Sequence, residues 1–390
     1  MKDWKPQPYR RIAQELGVSD AVLRSALAAS EAVVAVHPKL PPVLTLKHLS
    51  RLSGVGYMDL RRYVSREDPH TYKVFCIRKR PQPDGRIRFR EICVPEHSLC
   101  DVQQWIVRHI LVHGRPHSAS TAFAPGAKLI DAVQPHCGSR WIIKLDVRRF
   151  FESISEISVY NVFRSLGYQP LVSFELARIC TRIGSDKTWL SKTRRWRRKA
   201  PLHVAAIRNY SAKQLGYLAQ GAPTSPMIAN LVMRAADAEI SALSEPFGIT
   251  YTRYADDLTF STNSAHFDRT TASALIRKVY QTLGRFGLQP NLAKTQVVSP
   301  RARKVVLGLL ADGVSPRLTR EFKGKLRMHL HYLEHVDVGP IKHAQRRGFS
   351  AVAGLRNHLL GLAAYAIQIE PEYGYAVKAR LMAVHWPIIY

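Results

Sequence analysis

Apolar residues recur along this chain with two different periods, and the changes between them divide it into segments. From residue 10 to 35 the spacing is helical, with Ile12, Leu16, Val18, Val22, Leu23, Leu27 and Val33 forming an interrupted apolar face. "LTLKHLSRLSGVGYMDLRRYV" then predicts two short helices broken at Gly54 and Gly56. Such a pair either packs on a core or reads DNA as a helix-turn-helix, and packing is its commoner use. "YKVFCIRKRPQPDGRIRFREICVP" is β-rich on both sides of "PQPDG", which predicts a hairpin with basic residues along it. Helical spacing resumes through Leu99, Val102, Trp105, Ile106, His109 and Ile110.

"RWIIKLDVRRFFESI" reads as a strand that delivers Asp146 near its end, with a helix to follow. A basic stretch, "KTWLSKTRRWRRK", interrupts the pattern around residues 187 to 199, and "AQGAPTSPMIANLVMRAADAEISAL" is a Gly/Pro loop opening a long helix near Pro226. "YTRYADDLTFS" predicts a hairpin with Asp256 and Asp257 at its tip, and residues 271 to 286 are helical again. "RKVVLGLLADGVSPRL" predicts a short hairpin turning at Asp312 and Gly313. Beyond it Leu318, Phe322, Leu326 and Leu330 form a helical stripe, with Arg317, Arg320, Lys323, Lys325 and Arg327 around it. The pattern contains neither an internal repeat nor a low-complexity tail.

Length and charge sharpen this outline. The 390 residues are too many for one compact core, so two or three subdomains are expected. Lys and Arg number 58 against 29 Asp and Glu, a formal net charge of +29, which marks a surface that meets polyanions, nucleic acid first among them. An anionic membrane is the rival, but no apolar run is long enough to span one. The most apolar late segment, "FSAVAGLRNHLLGLAAYAIQI", carries Arg356, Asn357 and His358 in its middle and reads as a packed helix. The basic N-terminus is followed by neither an apolar signal core nor a cleavage site, which argues against secretion. Five cysteines without a CxxC pair read as reduced thiols of a cytoplasmic protein. The 16 histidines form no HExxH or zinc-finger spacing.

Two adjacent aspartates in a turn are usually turn chemistry, because Asp bonds its own backbone and tolerates tight geometry. Asp146 on a separate strand changes the question. If the two strands are neighbours in one antiparallel sheet, three carboxylates converge at an edge, and their repulsion raises their pKa values unless cations neutralise them. Mg²⁺ suits that task, since it prefers hard oxygen ligands and leaves positions open for phosphate. Two such ions about 3.5–4 Å apart can activate an attacking hydroxyl and stabilise the leaving oxygen of a phosphoryl transfer.

These motifs, in this order, resemble those of reverse transcriptases of the bacterial retron and group II intron kind, from about residue 73 to about 310. "KLDVRRFF" is similar to the family's first catalytic strand, "QGAPTSPMIAN" to its nucleotide-pocket loop and "YADD" to its palm hairpin. "GLQPNLAKTQVV" and "VVLGLL" are similar to the two palm motifs that follow. The resemblance implies an α+β right-hand polymerase fold: an N-terminal helical extension over 1–72, fingers over 73–145, a palm with an antiparallel sheet over 146–314 and a helical thumb over 315–390. The palm would include a basic insert at 182–200, whose Trp189 and Trp196 either track RNA by stacking or belong to a solvated loop. Asp146 and Asp256 would be the principal ligands of two Mg²⁺ ions, with Asp257 the third carboxylate and Mn²⁺ a substitute metal. Phe151, five residues after Asp146, matches a bulky position that would crowd a 2′-hydroxyl; otherwise it is a core Phe at a helix start. Gln220 and Gly221 would lie against the incoming nucleotide, and Lys79 and Arg90 would hold its triphosphate unless they are merely solvated strand residues. Lys294 matches a lysine that approaches the phosphates and can donate a proton to pyrophosphate.

The implied activity is RNA-directed DNA polymerisation on a structured RNA, the chain's own non-coding RNA, in anti-phage defence. Its partners would be that RNA, the RNA–DNA hybrid product and dNTPs, with no membrane; an effector protein or a second copy of the chain stays open. Two departures bear on the retron label. Retron enzymes carry Asn-Ala-x-x-His before the catalytic strand, where "AVQPH" keeps His136 but has Ala132 and Val133; their Val-Thr-Gly turn is Val306-Leu307-Gly308 here. A mobile-intron protein would need more chain after the thumb, and a diversity-generating enzyme would end the pocket loop in Ser-Gln, not Ser-Pro. The alternatives are a non-retron defence enzyme making repetitive or template-independent DNA, and a non-catalytic RNA-binding scaffold.

Overall fold

Gly17 takes a left-handed φ of 65°, and the helical stretch expected over 10–35 is two helices, Pro6–Glu15 and Asp20–Val36. A positive φ interrupts the hydrogen-bonded spiral, and glycine adopts it without a Cβ clash. In this computed structural model the described residues are 6–66, 68, 70–78, 89–184 and 215–387. The next two helices, Leu46–Ser53 and Tyr57–Ser65, stand where the pattern puts them. Thr45 caps the first, its hydroxyl accepting from the His48 amide at 3.1 Å, and Gly54 ends it at φ 75°. Leu49, Leu60, Tyr63 and Val64 sink into the main core, which makes the pair packing elements.

Strands β1 (Tyr72–Arg78) and β2 (Phe89–Pro95) form an antiparallel hairpin. Its connecting segment, with the "PQPDG" turn and Lys79, lies outside the described residues. Helix His97–His109 follows and buries Leu99, Val102, Trp105 and Ile106.

A five-stranded antiparallel sheet comes next. It contains β3 (Trp141–Arg148), β4 (Thr250–Tyr254), β5 (Asp257–Thr262), β6 (Gln289–Pro290) and β7 (Gln296–Val298), in the order β4-β5-β3-β6 with β7 also on β3. Strand alternation decides what each face carries. Ile143, Leu145 and Val147 of β3, with Leu258 and Phe260 of β5, enter the main core beside Met233 and Ile240 of helix Ser225–Ser244 and Val279 and Leu283 of helix Arg269–Arg285. Each such apolar side chain stabilises by roughly 1.5–3 kcal/mol when fully buried. Ile142, Lys144 and Asp146 take the opposite face of β3, and only Ile142 of the three joins an apolar cluster, with Val306, Leu309 and Leu318.

That second cluster belongs to a small sheet of β8 (Val305–Val306), β9 (Leu309–Leu310) and β10 (Arg317–Leu318). The chain turns at Leu307 and Gly308, both with positive φ (48° and 84°), and again between β9 and β10, so the single expected hairpin is a three-stranded sheet. Paired positive φ values match the twist of a two-residue hairpin.

Helices Arg320–Glu334, Gly339–Arg346, Val352–Ile369 and Pro371–Ala383 have a core of their own, in which Leu326, Leu330 and Leu333 meet Leu355, Leu359, Val377 and Leu381. Gly374 allows the last two to touch backbone to backbone: a Cβ there would lie 2.3 Å from the Ile367 amide nitrogen. Among the described residues no helix is long and apolar enough to cross a membrane, and all five cysteines are free.

Candidate active site

Register brings the acids together. Asp146 stands directly opposite Asp257 in the β3–β5 pairing, so both side chains leave the same face of the sheet, where cross-strand Cβ atoms are about 4.5–5.5 Å apart. Asp256 lies beside them in the two-residue turn between β4 and β5. The first turn residue, Ala255, takes φ 56°, a left-handed conformation that costs a residue with a Cβ about 1–2 kcal/mol. The turn is fastened to β3, where the Val147 amide donates to the Asp256 carbonyl at 3.0 Å, and β3 is fastened on its other side, where the Asn291 amide donates to the Asp146 carbonyl at 2.7 Å. Asn291 Nδ2 also donates to Asp146 Oδ1 at 2.7 Å, and Lys294 Nζ to Oδ2 at 2.5 Å.

The electrostatics follow from this crowding. Burial, and then the charge of Asp146, pushes the Asp256 carboxyl above its ordinary range, while Lys294 and Arg90 pull it back. Asp257 is pushed up to about 6, by burial first and by Asp256 and Asp146 after it. Lys144, on the same face of β3, donates to the Val305 carbonyl at 3.1 Å. Burial lowers its pKa and Asp257 raises it. Lys144, Asp146, Asp257, Thr259, Lys294 and Leu307 are among the residues that line a cleft of about 220 Å³. Among the described residues no three His, Cys, Asp or Glu groups are placed to close around a metal ion; Asp146 is turned to Asn291 and Lys294. The donor chemistry nonetheless fits a hard divalent cation, because three carboxylates offer oxygen alone and two of them bind protons more tightly than usual.

Behind the hairpin sits a polar network that pattern reading missed. Arg253 and Asp237 are fully buried and form a two-pronged pair, Nε–Oδ1 at 2.8 Å and Nη2–Oδ2 at 2.7 Å. The Tyr251 hydroxyl donates to the same Asp237 Oδ1 at 2.8 Å. The remaining nitrogen of Arg253 donates to the Ala255 carbonyl at 3.1 Å and to Asn230 Oδ1 at 3.2 Å. Helix Ser225–Ser244 thus holds the strained turn from below. Nothing in "YTRY" itself announces such a buried partner. His136 is buried too, its ring nitrogens 2.7 Å from Ser261 Oγ and Thr252 Oγ1; burial lowers its pKa to about 4.

The other expected site residues surround the acids unevenly. Phe151 lies in the short helix Phe150–Ser153 directly after β3, half-buried, with its ring 6.4 Å from Phe123. Arg90 is an exposed residue of β2 whose charge reaches Asp256. The Gln220 carbonyl accepts from the Cys93 amide at 2.8 Å, joining the pocket loop to β2. Gly221, at φ 113°, allows a close backbone approach, though the partner seen is β2: a Cβ there would be 3.0 Å from the Cys93 carbonyl oxygen. Lys294 is not free to meet phosphate while it holds Asp146. Lys79, Trp189 and Trp196 fall outside the described residues.

Comparison with known proteins gives the class. The family model described as reverse transcriptase (RNA-dependent DNA polymerase) matches residues 77–324, well over half of the sequence, and the chain belongs to this family. It is an RNA-directed DNA polymerase, RNA is its template, and the family's chemistry depends on divalent metal ions. More particularly, it is 27% identical over 336 residues to the retron Ec86 reverse transcriptase of Escherichia coli, covering 86% of this chain and 92% of that one. It is 30% identical over 311 residues to the retron Ec83 enzyme of the same species, covering 77% and 84%. It is also 28% identical over 344 residues to the retron Mx162 enzyme of Myxococcus xanthus, covering 85% of this chain and 65% of that longer one. A solved telomerase from Candida albicans is similar at TM-score 0.40 and 12% identity, over 83% of this chain and 57% of that one; the assignment does not rest on it.

Proposed function

We propose that this chain is the polymerase of a retron, copying its own structured non-coding RNA into DNA for anti-phage defence, with two Mg²⁺ ions at the acid edge. The observation that carries the catalytic reading is the pairing of Asp146 with Asp257 across β3 and β5, with Asp256 at the adjoining tip. Asp146 and Asp256 would be the principal metal ligands and Asp257 the third. The metal pair, when bound, supplies positive charge that activates the primer hydroxyl and stabilises the leaving pyrophosphate.

The protein groups do the rest. Lys294 pairs with Asp146 and would turn to the triphosphate, where it can donate a proton to the leaving group. Arg90, with Lys79, would grip the phosphates; Gln220 and Gly221 would back the nucleotide. Phe151 would crowd a ribose 2′-hydroxyl and select deoxynucleotides. The separate core of the last helices supports a thumb over 315–390, while the extension (1–72), fingers (73–145) and palm (146–314) would share the main core that runs from Val33 to Leu288. The net charge of +29 supports a long polyanionic ligand, whose binding weakens as salt rises.

Purified protein with Mg²⁺, dNTPs and a primed RNA should extend the primer, and Asp256→Asn should abolish extension while RNA affinity stays nearly unchanged. Equal extension by that variant removes the metal assignment; a defence phenotype that survives Asp146→Ala would instead favour the scaffold reading. Sequencing the nucleic acid that co-purifies tests the retron part: a short DNA joined to RNA by a 2′,5′ branch supports it, and an unbranched repetitive DNA refutes it.

A further inference from the structure

We propose that Phe123 is a positioning residue for sugar selection, its ring bracing Phe151 from the side of the acid hairpin. The inference deepens the reading of Phe151 as the gate and rests on it. Phe123 has φ 64°, a conformation rare for a bulky side chain, and its side chain is left 42% exposed. Strained backbone of this kind persists where the surroundings enforce it, and it gathers at functional sites.

The surroundings here are specific. The ring of Phe123 lies 6.4 Å from Phe151, tilted by 48°, and 6.2 Å from Tyr254, tilted by 45°. Phe151 in turn meets the buried ring of Phe150 at 5.4 Å. The row Phe150, Phe151, Phe123, Tyr254 therefore runs from the end of β3 to the start of the β4–β5 turn, between the two sources of carboxylates.

The loop that carries Phe123 is tied down. Asn230 Nδ2 donates to the Ala122 carbonyl at 2.6 Å. The Thr121 amide and hydroxyl donate to the Arg253 carbonyl at 2.9 and 3.1 Å, and the Arg253 amide donates to the Ala119 carbonyl at 2.7 Å. The same buried network that holds the acid turn thus holds this ring. Tilted aromatic rings at these distances attract one another, so Phe123 opposes any swing of Phe151. A gate made of one side chain rejects a 2′-hydroxyl only if it cannot rotate aside, and the brace supplies that resistance.

The test compares Phe123→Gly, Phe123→Leu, Phe151→Ala and the Phe123→Gly/Phe151→Ala pair, reading kcat and KM for dNTP and rNTP in primer extension on RNA. Glycine suits φ 64°, so folding is retained; the leucine variant keeps bulk and loses only the ring. Phe151→Ala should relax discrimination by roughly 10- to 200-fold. Phe123→Gly and Phe123→Leu should relax it by roughly three- to tenfold, through a lower rNTP KM with dNTP kcat unchanged, and the double variant should match Phe151→Ala alone. Relaxation in Phe151→Ala without any in the two Phe123 variants overturns the brace and leaves the gate. Unchanged discrimination in Phe151→Ala overturns the gate and the brace together. Multiplying effects in the double variant overturn the brace, since Phe123 would then act on the nucleotide independently.

Discussion

Replacing Asp257 by Asn should make the metal-free protein more stable while making it a worse enzyme. The Asp257 carboxyl is pushed from 3.8 to about 6 by burial and by the neighbouring charges of Asp256 and Asp146. At about 1.4 kcal/mol per unit a rise of this size is a penalty of roughly 3 kcal/mol on the ionised folded state, which partial access to water reduces to ~1–2 kcal/mol. The sign follows from proton linkage. A carboxyl with a raised folded pKa binds its proton more tightly in the folded state, so the penalty is absent below the unfolded pKa of 3.8, grows as pH rises toward 6 and is constant above it. Asparagine keeps the shape and cannot ionise. Thermal melts of both proteins in EDTA should therefore show the variant a few degrees higher at pH 8 and indistinguishable from the parent near pH 4. Adding Mg²⁺ at pH 8 should raise the parent more than the variant, because only a species bound to the folded state stabilises it. Equal melting at pH 8 in EDTA, or a variant that melts lower, would show that the acids do not repel one another as their placement requires.

The buried network should be less forgiving. Asp237→Ala strands the Arg253 charge in the core and should cost about 3–5 kcal/mol, read as a lower urea midpoint; replacing both partners with apolar residues should recover most of that. His136 should give the fold an acid limit of its own. Its folded pKa of about 4 lies below the unbound value of 6.5, so its contribution is intact above pH 6.5 and is lost as pH falls toward 4, by ~3 kcal/mol. His136→Asn should flatten the stability-versus-pH curve in that window, and an unchanged slope would show that His136 is not what titrates.

Much of the acid edge was legible because its geometry depends on local rules. Alternation in "WIIKLDV" puts Asp146 on the face opposite Ile143 and Leu145, and the turn in "YADD" sets Asp256 beside Asp257. The stripe of Phe322, Leu326 and Leu330 announced a helix in the same way, although Leu318, expected on it, lies with Arg317 in β10. Other features needed partners that no short window contains. Arg253 reads as one more cation in a basic chain until helix Ser225–Ser244 brings Asp237 against it. Lys294 was expected at the phosphates because its motif suits them, and its bond to Asp146, 148 residues away in sequence, lies beyond any short window. Leu307 carries no turn chemistry in its side chain, so its own left-handed φ shows only in the backbone, although Gly308 beside it signals a turn. Phe123 gives no sign of its left-handed φ, which the hydrogen bonds of Thr121 and Ala122 to distant residues impose.

The main chain of Asp146 is bonded to Asn291, and that of Asp256 to Val147. The acids therefore ride on one stiff plate, and their separations are a property of the sheet before they are a property of side-chain rotation. If they hold paired cations as proposed, the sheet would keep the spacing those cations need. A single residue inserted into β3 or β5 ahead of its acid would turn that acid to the other side of the plate, and the proposed metal site would be lost.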